Sequence, residues 1–250
     1  MQYSIDDFKR VKESGKIVAK VLNYIEEFIK PGVSTKELDD LCHQFIIKHG
    51  GRPACLNYKG FPKSICTSIN DVICHGIPNK KDILKEGDII NIDLVVEKDG
   101  MHADACRMFK VGKISEQAQK LIDVCRQALY LGIDAAKYGN KLGDIGFAIQ
   151  NFVEANGFSV VRDYCGHGIG KSMHEEPQIL HFGKPNTGMS ILPGMIFTIE
   201  PMINIGAPET KLMQDKWTVK TKDGSLSAQF EHTIGINEEG KAEILTKFIE

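Results

Sequence analysis

Four acidic side chains in this 250-residue chain occupy positions where ordinary burial would not place a charge. Each one follows or interrupts an apolar, strand-like run: Asp93, Asp104, Glu200 and Glu231. Removing an unpaired carboxylate from water costs on the order of several kcal/mol. We therefore expect these acids to share a partner that carries positive charge.

The segment Gly87–Phe109 predicts a β-hairpin whose turn centres on Asp99-Gly100. That turn would place position 95 opposite position 104, and position 93 opposite position 106. Asp93 and Asp104 would then be diagonal neighbours on one face, within side-chain reach of each other. Two carboxylates that close repel unless a proton or a cation lies between them.

Each of these residues also has a simpler interpretation. A lone acid beside a turn is usually solvated, and a strand acid often faces outward; Arg107 or Arg162 could pair with one acid but not with four. His167, bracketed by glycines in the stretch Tyr164–Gly170, could be an incidental loop residue. Taken together, four carboxylates and one imidazole form an oxygen-rich ligand set whose charge two divalent cations would balance. Such a set suits Mn, Co, Fe or Mg at least as well as Zn, and paired ions activate water and bind carbonyl oxygens.

Composition excludes several other classes of function. The formal net charge is −2 and basic residues are not clustered, which gives no support for a nucleic-acid or anionic-membrane partner. We find no apolar signal core and no run long enough to span a bilayer. The seven cysteines are scattered singly, which argues against a zinc finger or a disulfide framework and predicts a cytoplasmic protein.

Hydrophobic periodicity predicts the elements that must position the acids. A long helix starts at a capping box of Ser4 and Asp7 and ends before Pro31-Gly32, and a second runs from Ser34-Thr35 to Gly50-Gly51. Two more helices are expected at Ser115–Ala136 and Leu142–Asn156. Strands are expected at Ile65–Ile69, Val72–His75, Ile89–Val96, Met101–Val111, Ser159–Asp163, Met195–Ile205, Trp217–Thr221, Ser227–Ile236 and Ala242–Thr246.

The order of helices followed by strands occurs twice. A shift of 107 residues superposes Gly87–Asp93 on Gly194–Glu200, so that one acid falls on another. At a shift of 99, His75 with Pro78 falls on His174 with Pro177. We therefore expect a duplicated α+β unit whose halves, about 1–112 and 113–250, share one sheet and one core in a single domain, 1–250.

Five motifs in this chain resemble the signatures of the methionine aminopeptidases, in the right order and at suitable distances. They are NIDLVVEKDGMHADACRMF, CGHGIG, HEEP, FTIEPM and SLSAQFEHTI, and the resemblance runs from about Val11 to Thr246. The length is similar to that of the bacterial type I form. The resemblance implies the α+β "pita-bread" fold, a curved antiparallel sheet covered by helices with an internal pseudo-two-fold repeat.

The resemblance also implies roles for the residues. In this family one metal ion is held by His167, Glu200, Asp104 and Glu231, and the other by Asp93, Asp104 and Glu231. The ions are divalent, with Co, Mn, Fe, Zn and Ni as candidates. The reaction is removal of the initiator methionine when the second residue is small. Glu200 is then the general base and acid, His174 donates a hydrogen bond to the oxyanion, and His75 contacts the scissile amide nitrogen.

Substrate and cation positions follow from the same resemblance. The methionine pocket would be lined by Cys55, Tyr58, Phe61, Cys66 and Trp217, a soft apolar surface that suits a thioether. A monovalent cation, Na or K, would bind at the positions of Asn70, Val72 and Ser227. Phe61 stands where the family commonly has Tyr, and Met173 where it commonly has Phe, so the resemblance does not determine the fine substrate preference.

The partners expected from this family are nascent polypeptide N-termini at the ribosome, acted on by a monomer, with no nucleic-acid recognition and no membrane. Two alternatives stay open at this point. One is a proline-directed relative, an X-Pro aminopeptidase or prolidase, which usually carries a further N-terminal domain. The other is a non-catalytic pita-bread protein that binds partners, although such relatives generally lose metal ligands and all five are present here.

Overall fold

The computed structural model describes residues 2–248. Within that range it contains the four predicted α-helices: α1 (Ile5–Ile25), α2 (Thr35–Lys48), α3 (Glu116–Ala135) and α4 (Leu142–Ala155). The predicted capping box is confirmed, because the Ser4 hydroxyl accepts from the Asp7 amide while the Asp7 carboxylate accepts from the Ser4 amide. Ser34 and Glu37 cap α2 in the same way.

Fifteen strands occupy the described part of the chain, most of them short. They are β1 (Arg52–Pro53), β2 (Cys66–Ile69), β3 (Val72–Cys74), β4 (Ile89–Lys98), β5 (Met101–Lys110), β6 (Ser159–Val160), β7 (Gly166–Gly168), β8 (Glu175–Ile179), β9 (Ile196–Ile199), β10 (Met202–Asn204), β11 (Thr210–Leu212), β12 (Val219–Thr221), β13 (Ser227–Gln229), β14 (His232–Ile236) and β15 (Ala242–Ile244). All the strand pairings are antiparallel.

The predicted hairpin is confirmed residue by residue. Strands β4 and β5 pair so that Val95 faces Asp104 and Asp93 faces Cys106. Asp99 and Gly100 both have positive φ, as a tight two-residue hairpin turn requires. Asp93 and Asp104 are therefore diagonal neighbours on one face of the hairpin.

Two expectations about strand continuity are wrong. Strands β9 and β10 are interrupted at Glu200-Pro201, and strands β13 and β14 at Phe230-Glu231. Pro201 has no amide hydrogen for a ladder. At both breaks the chain passes from one sheet to another, since β9 pairs with β14 while β10 pairs with β13. Glu200 and Glu231 thus lie side by side, at the two points where neighbouring segments of the chain pass from one sheet to the other.

The expectation that the two halves share one single sheet is wrong, although β3 of the first half pairs with β12 of the second. The strands form four hydrogen-bonded sheets, with the orders β1-β4-β2 plus β5, β13-β10-β6, β11-β12-β3, and β15-β14-β9-β7-β8. Single backbone bonds join neighbouring sheets, for example from the Glu231 amide to the Cys106 carbonyl at 3.2 Å. Strands β7 and β8 were not predicted, because glycine and charged residues hide any apolar alternation there.

Two large cores flank the sheets rather than the one that we expected. Helix α1 packs on β4 and β5 over one core, and α3 packs on α4 and β13 over the other. Helices α2 and α4 have bounds offset by 107 residues, which agrees with the internal repeat. The assignment of 1–250 to one domain stays a prediction, and residues 1, 249 and 250 lie outside the described range.

No helix within 2–248 is both long and apolar enough to cross a membrane. All seven cysteines are present as free thiols.

Candidate metal centre

One pocket of about 620 Å³ collects every predicted metal, catalytic and substrate residue. Its lining includes Cys55, Tyr58, Phe61, Cys66, His75, Asp93, Asp104, His167, His174, Glu200, Trp217 and Glu231. These residues come from both halves of the repeat. The pocket therefore lies where the two duplicated units meet.

The acids reach the pocket from two kinds of backbone. Asp93 and Asp104 project from the β4–β5 hairpin, while Glu200 and Glu231 project from the two strand breaks. Strand β7 carries His167, whose Nε2 lies 3.6 Å from Glu200 Oε1 and 3.9 Å from Asp104 Oδ2. Ligand atoms of Asp104, His167 and Glu231 lie within 4.8 Å of one another.

Burial and mutual repulsion make these acids hard to ionise on their own. Desolvation raises the pKa of Asp93 and of Glu200, and it raises the pKa of Asp104 and Glu231 further because neighbouring carboxylates add to it. Desolvation also lowers the pKa of His167, which keeps its imidazole neutral.

A cation fits this set of residues. Asp104 Oδ1 and Glu231 Oε1 are buried and have no hydrogen-bond partner among the described residues. Buried polar atoms are rarely left without a partner unless an ion or water completes the site. Oxygen donors with one neutral imidazole are suitable ligands for divalent metal ions.

Three polar residues that the sequence did not single out hold Glu200 in place. The Thr198 hydroxyl donates to Glu200 Oε1 at 2.7 Å and accepts from the His167 amide at 3.0 Å. The side chain of Gln229 donates to Glu200 Oε2 at 3.2 Å, and His181 Nε2 accepts from the Glu200 amide at 3.0 Å. Thr198 and Gln229 lie two residues before Glu200 and Glu231, inside the motifs FTIEPM and SLSAQFEHTI. Their place beside two expected metal ligands is the sequence feature that could have identified them.

The two further histidines lie on the pocket wall. His174 Nδ1 is 2.8 Å from the Tyr58 hydroxyl, and its ring centroid is 4.1 Å from that of His167. Desolvation, followed by the neighbouring histidines, lowers the pKa of His174 to about 3. Desolvation likewise lowers the pKa of His75 to about 4, so both imidazoles are neutral at pH 7.

An apolar, sulfur-containing wall adjoins the acids. Cys66 on β2 is paired with Asp93 on β4, and Phe61 meets Trp217 edge to face with centroids 5.2 Å apart. The Trp217 ring also lies 6.2 Å from that of His75. This arrangement places an apolar surface directly beside the charged cluster.

The residues of the predicted monovalent-cation site lie near one another, outside this pocket. The Asn70 carbonyl accepts from the Ser227 amide at 2.9 Å, and Asn70 and Val72 border a separate surface cavity. The role of these residues stays a prediction.

Comparisons with known proteins agree on one family. The profile of metallopeptidase family M24 matches residues 9–238. A methionine aminopeptidase of Buchnera aphidicola is 55% identical over 240 residues, covering 96% of this chain and 91% of the relative. The crystal structure of methionine aminopeptidase from Rickettsia prowazekii is similar with a TM-score of 0.97, 51% identity and 99% of both chains covered. A Xaa-Pro dipeptidase from Bacillus anthracis, at 23% identity and a TM-score of 0.79, shares the fold, and this chain spans 62% of it.

Proposed function

This chain belongs to metallopeptidase family M24, and on that premise we propose that it removes N-terminal methionine from peptides and nascent proteins. The observation that carries the proposal is the buried cluster of Asp93, Asp104, His167, Glu200 and Glu231 beside an apolar pocket. The likeness to methionine aminopeptidases over nearly the whole length supports the same activity.

The five clustered residues are the proposed ligands of two divalent metal ions. His167, Glu200, Asp104 and Glu231 would hold one ion, and Asp93 with Asp104 and Glu231 the other. Bound there, the ions would lower the pKa of a water molecule and neutralise developing negative charge. Whether the metal is Co, Mn, Fe, Zn or Ni depends on supply as well as on the ligands.

Glu200 is the proposed proton carrier. Thr198 and Gln229 hold one oxygen each, so the carboxylate is fixed at the edge of the cluster. Cations bound beside Glu200 would keep its carboxylate ionised, so that it can take a proton from the attacking water and pass it to the leaving amine.

His174 and His75 act on the peptide bond itself. If the Tyr58 hydroxyl donates to His174 Nδ1, the neutral ring carries its proton on Nε2, where it can donate to the substrate oxyanion. His75 contacts the scissile amide nitrogen, which leaves as an amine. Cys55, Tyr58, Phe61, Cys66 and Trp217 form the wall that accepts the methionine side chain.

Further features of the activity belong to the same proposal. We propose a preference for a small second residue, action as a monomer on chains emerging from the ribosome, a cytoplasmic location, and a Na or K ion at Asn70, Val72 and Ser227.

The test compares a Met-Gly peptide with an X-Pro peptide, each with and without chelator. Chelator-sensitive release of methionine, restored by added Mn²⁺ or Co²⁺, is the expected result. Cleavage of the X-Pro peptide alone would indicate a prolidase-type enzyme. No turnover with any divalent metal would indicate a binding protein.

A further inference from the structure

Gln2 and Tyr3 are hydrogen-bonded to the second half of the molecule. The Tyr3 amide donates to the Gly194 carbonyl at 2.7 Å, and the Gln2 side chain donates to the Pro193 carbonyl at 3.1 Å. Helix α1 begins immediately afterwards at the Ser4 cap. Tyr3 is 8% exposed, so most of its side chain is buried in the core.

The Tyr3 hydroxyl closes the turn that leads into strand β8. It donates to Glu175 Oε2 at 2.6 Å and accepts from the Lys171 amide at 3.0 Å. The other carboxylate oxygen, Glu175 Oε1, accepts from the Ser172 amide at 2.7 Å. Burial and the bond to Glu175 raise the pKa of Tyr3, so the hydroxyl remains a donor at neutral pH. One phenol thus contacts both ends of the turn 171–175.

The ring of Tyr3 contributes a second contact. A Cβ on Gly170 would lie 2.4 Å from the Tyr3 ring, which is possible only because Gly170 has no side chain. The Gly170 carbonyl in turn accepts from the His102 amide of β5 at 2.7 Å. The turn is therefore clamped between the phenol and the hairpin that carries Asp104.

This turn carries a residue of the proposed site. His174 immediately precedes Glu175, and both border the pocket. Glu175 is also the first residue of β8, which pairs with β7, the strand that carries His167. Lys171 and Ser172 are exposed, and Met173 packs in the core, so the turn is anchored by one buried side chain and by its bonds to Tyr3 and Glu175.

We propose that Tyr3 is a positioning residue for His174, acting through Glu175 and the Lys171 amide. The role rests on the proposed function, in which His174 contacts the substrate. Tyr3 itself does not border the pocket and is not a catalytic residue. Residues 2 and 3 thus help to hold one wall of the active site.

Hydrogen exchange tests whether the Tyr3 hydroxyl holds the turn 171–175. The variant is Tyr3→Phe, which keeps the ring and removes only the hydroxyl. We expect the Lys171 and Ser172 amides to exchange about fivefold to tenfold faster, because each loses a bond or a fixed acceptor. Ser4→Ala is the matched control, since it loosens the start of α1 without touching Glu175. Exchange in the turn that is unchanged in Tyr3→Phe would overturn the proposal.

The functional half is tested by steady-state kinetics on a Met-Gly peptide at saturating metal. Tyr3→Phe should lower kcat about threefold to tenfold and change KM less than about twofold, while Ser4→Ala leaves both unchanged. In a His174→Ala background, Tyr3→Phe should have no further effect on the residual kcat. A wild-type kcat in Tyr3→Phe, or an equal loss in the His174→Ala background, would overturn the role. A wild-type enzyme that releases no methionine would instead reject the proposed function, a result that the exchange experiment does not depend on.

Discussion

Asp104 and Glu231 are 5% and 2% exposed, and each has one carboxylate oxygen without a hydrogen-bond partner in the described structure. Two charges buried in this way repel each other and lose their hydration. A cation between them would convert the repulsion into attraction. Replacing one acid with its neutral amide should therefore have opposite effects on the metal-free and metal-loaded protein.

Glu231→Gln tests that expectation. Without metal, the variant should melt about 3 °C or more above the wild type, because the amide can be buried without the cost of protonating an acid or burying its charge. With metal, methionine release should fall about 100-fold or more, equivalent to about 2.7 kcal/mol of transition-state stabilisation. Asp163→Asn is the control, because Asp163 borders the pocket outside the cluster and should change neither quantity much. A metal-free Glu231→Gln that melts below the wild type would count against a buried, uncompensated charge.

The bond between Tyr58 and His174 gives a second prediction at this scale. Tyr58→Phe removes the hydroxyl 2.8 Å from Nδ1 and leaves the ring tautomer of His174 unfixed. We expect kcat on a Met-Gly peptide to fall about tenfold with metal content unchanged. Tyr138→Phe, at a tyrosine that is 63% exposed, should behave as the wild type. Equal rates in the two variants would mean that the tautomer does not matter.

Single residues could be predicted where their type conflicts with their surroundings. Asp93 and Glu200 follow apolar runs, and that conflict was visible in the sequence. Thr198, His181 and Tyr3 show no such conflict, because a polar residue is acceptable almost anywhere. Their partners are fixed only when strands distant in sequence pair, as β7 and β9 do.

Strand β7 has to approach its neighbours closely to present His167. A Cβ on Gly166 would lie 2.4 Å from the Thr198 carbonyl oxygen, and one on Gly168 would lie 2.4 Å from the Glu176 carbonyl oxygen. These contacts are with backbone, which cannot rotate away. The glycines around His167 therefore set the distance between its strand and the two strands beside it.

Gly166→Ala should push β7 away from β9 and move His167 with it. We expect unfolding stability to fall by about 2–3 kcal/mol and metal affinity to fall about tenfold or more. Gly224→Ala is the control, because Gly224 has positive φ but open space around it. That variant should lose about 1 kcal/mol and keep its metal affinity, as titration calorimetry would show. Unchanged metal affinity in Gly166→Ala would contradict the role of the close approach.

Elements with strong periodic signals could be predicted, and short irregular ones could not. Helices α2 and α4 have serine or turn residues at one end and glycine at the other, and the Asp99-Gly100 turn fixed the register of β4 and β5. The breaks at Glu200 and Glu231 were hidden, because each apolar run continues through the point where the chain changes sheets. The strand containing His167 was hidden by its glycines.

The pocket brings together acids from both duplicated units. Asp93 and Asp104 come from the first unit, and Glu200 and Glu231 come from the second. Burial raises the pKa of Glu200 to about 8 and that of Asp104 and Glu231 well above the usual range, whereas unfolded carboxyls titrate near about 4. Between about pH 9 and 7 the folded, metal-free protein therefore takes up protons that the unfolded chain does not. Its stability must rise as the pH falls through that window.

Thermal melting with and without metal measures this effect. We expect metal-free protein to melt about 3 °C higher at about pH 7 than at about pH 8.5, with the rise levelling off below about pH 6.5. It levels off because burial keeps His75, His174, His181 and His232 neutral in the folded protein, whereas the unfolded histidines gain protons there. Saturating Mn²⁺ should reduce the change to the part that buried thiols contribute, because burial raises the pKa of Cys42, Cys66, Cys74, Cys106 and Cys125 above that of unfolded thiols. The same pH profile in both forms would contradict a charge cluster that metal neutralises.

Diffraction at the manganese absorption edge, from crystals grown with Mn²⁺, tests the central claim most directly. The expected anomalous map has two manganese peaks in the pocket, bounded by the carboxylates of Asp93, Asp104, Glu200 and Glu231 and by the imidazole of His167. A map without manganese in that pocket, or with those side chains turned away from it, would contradict the account.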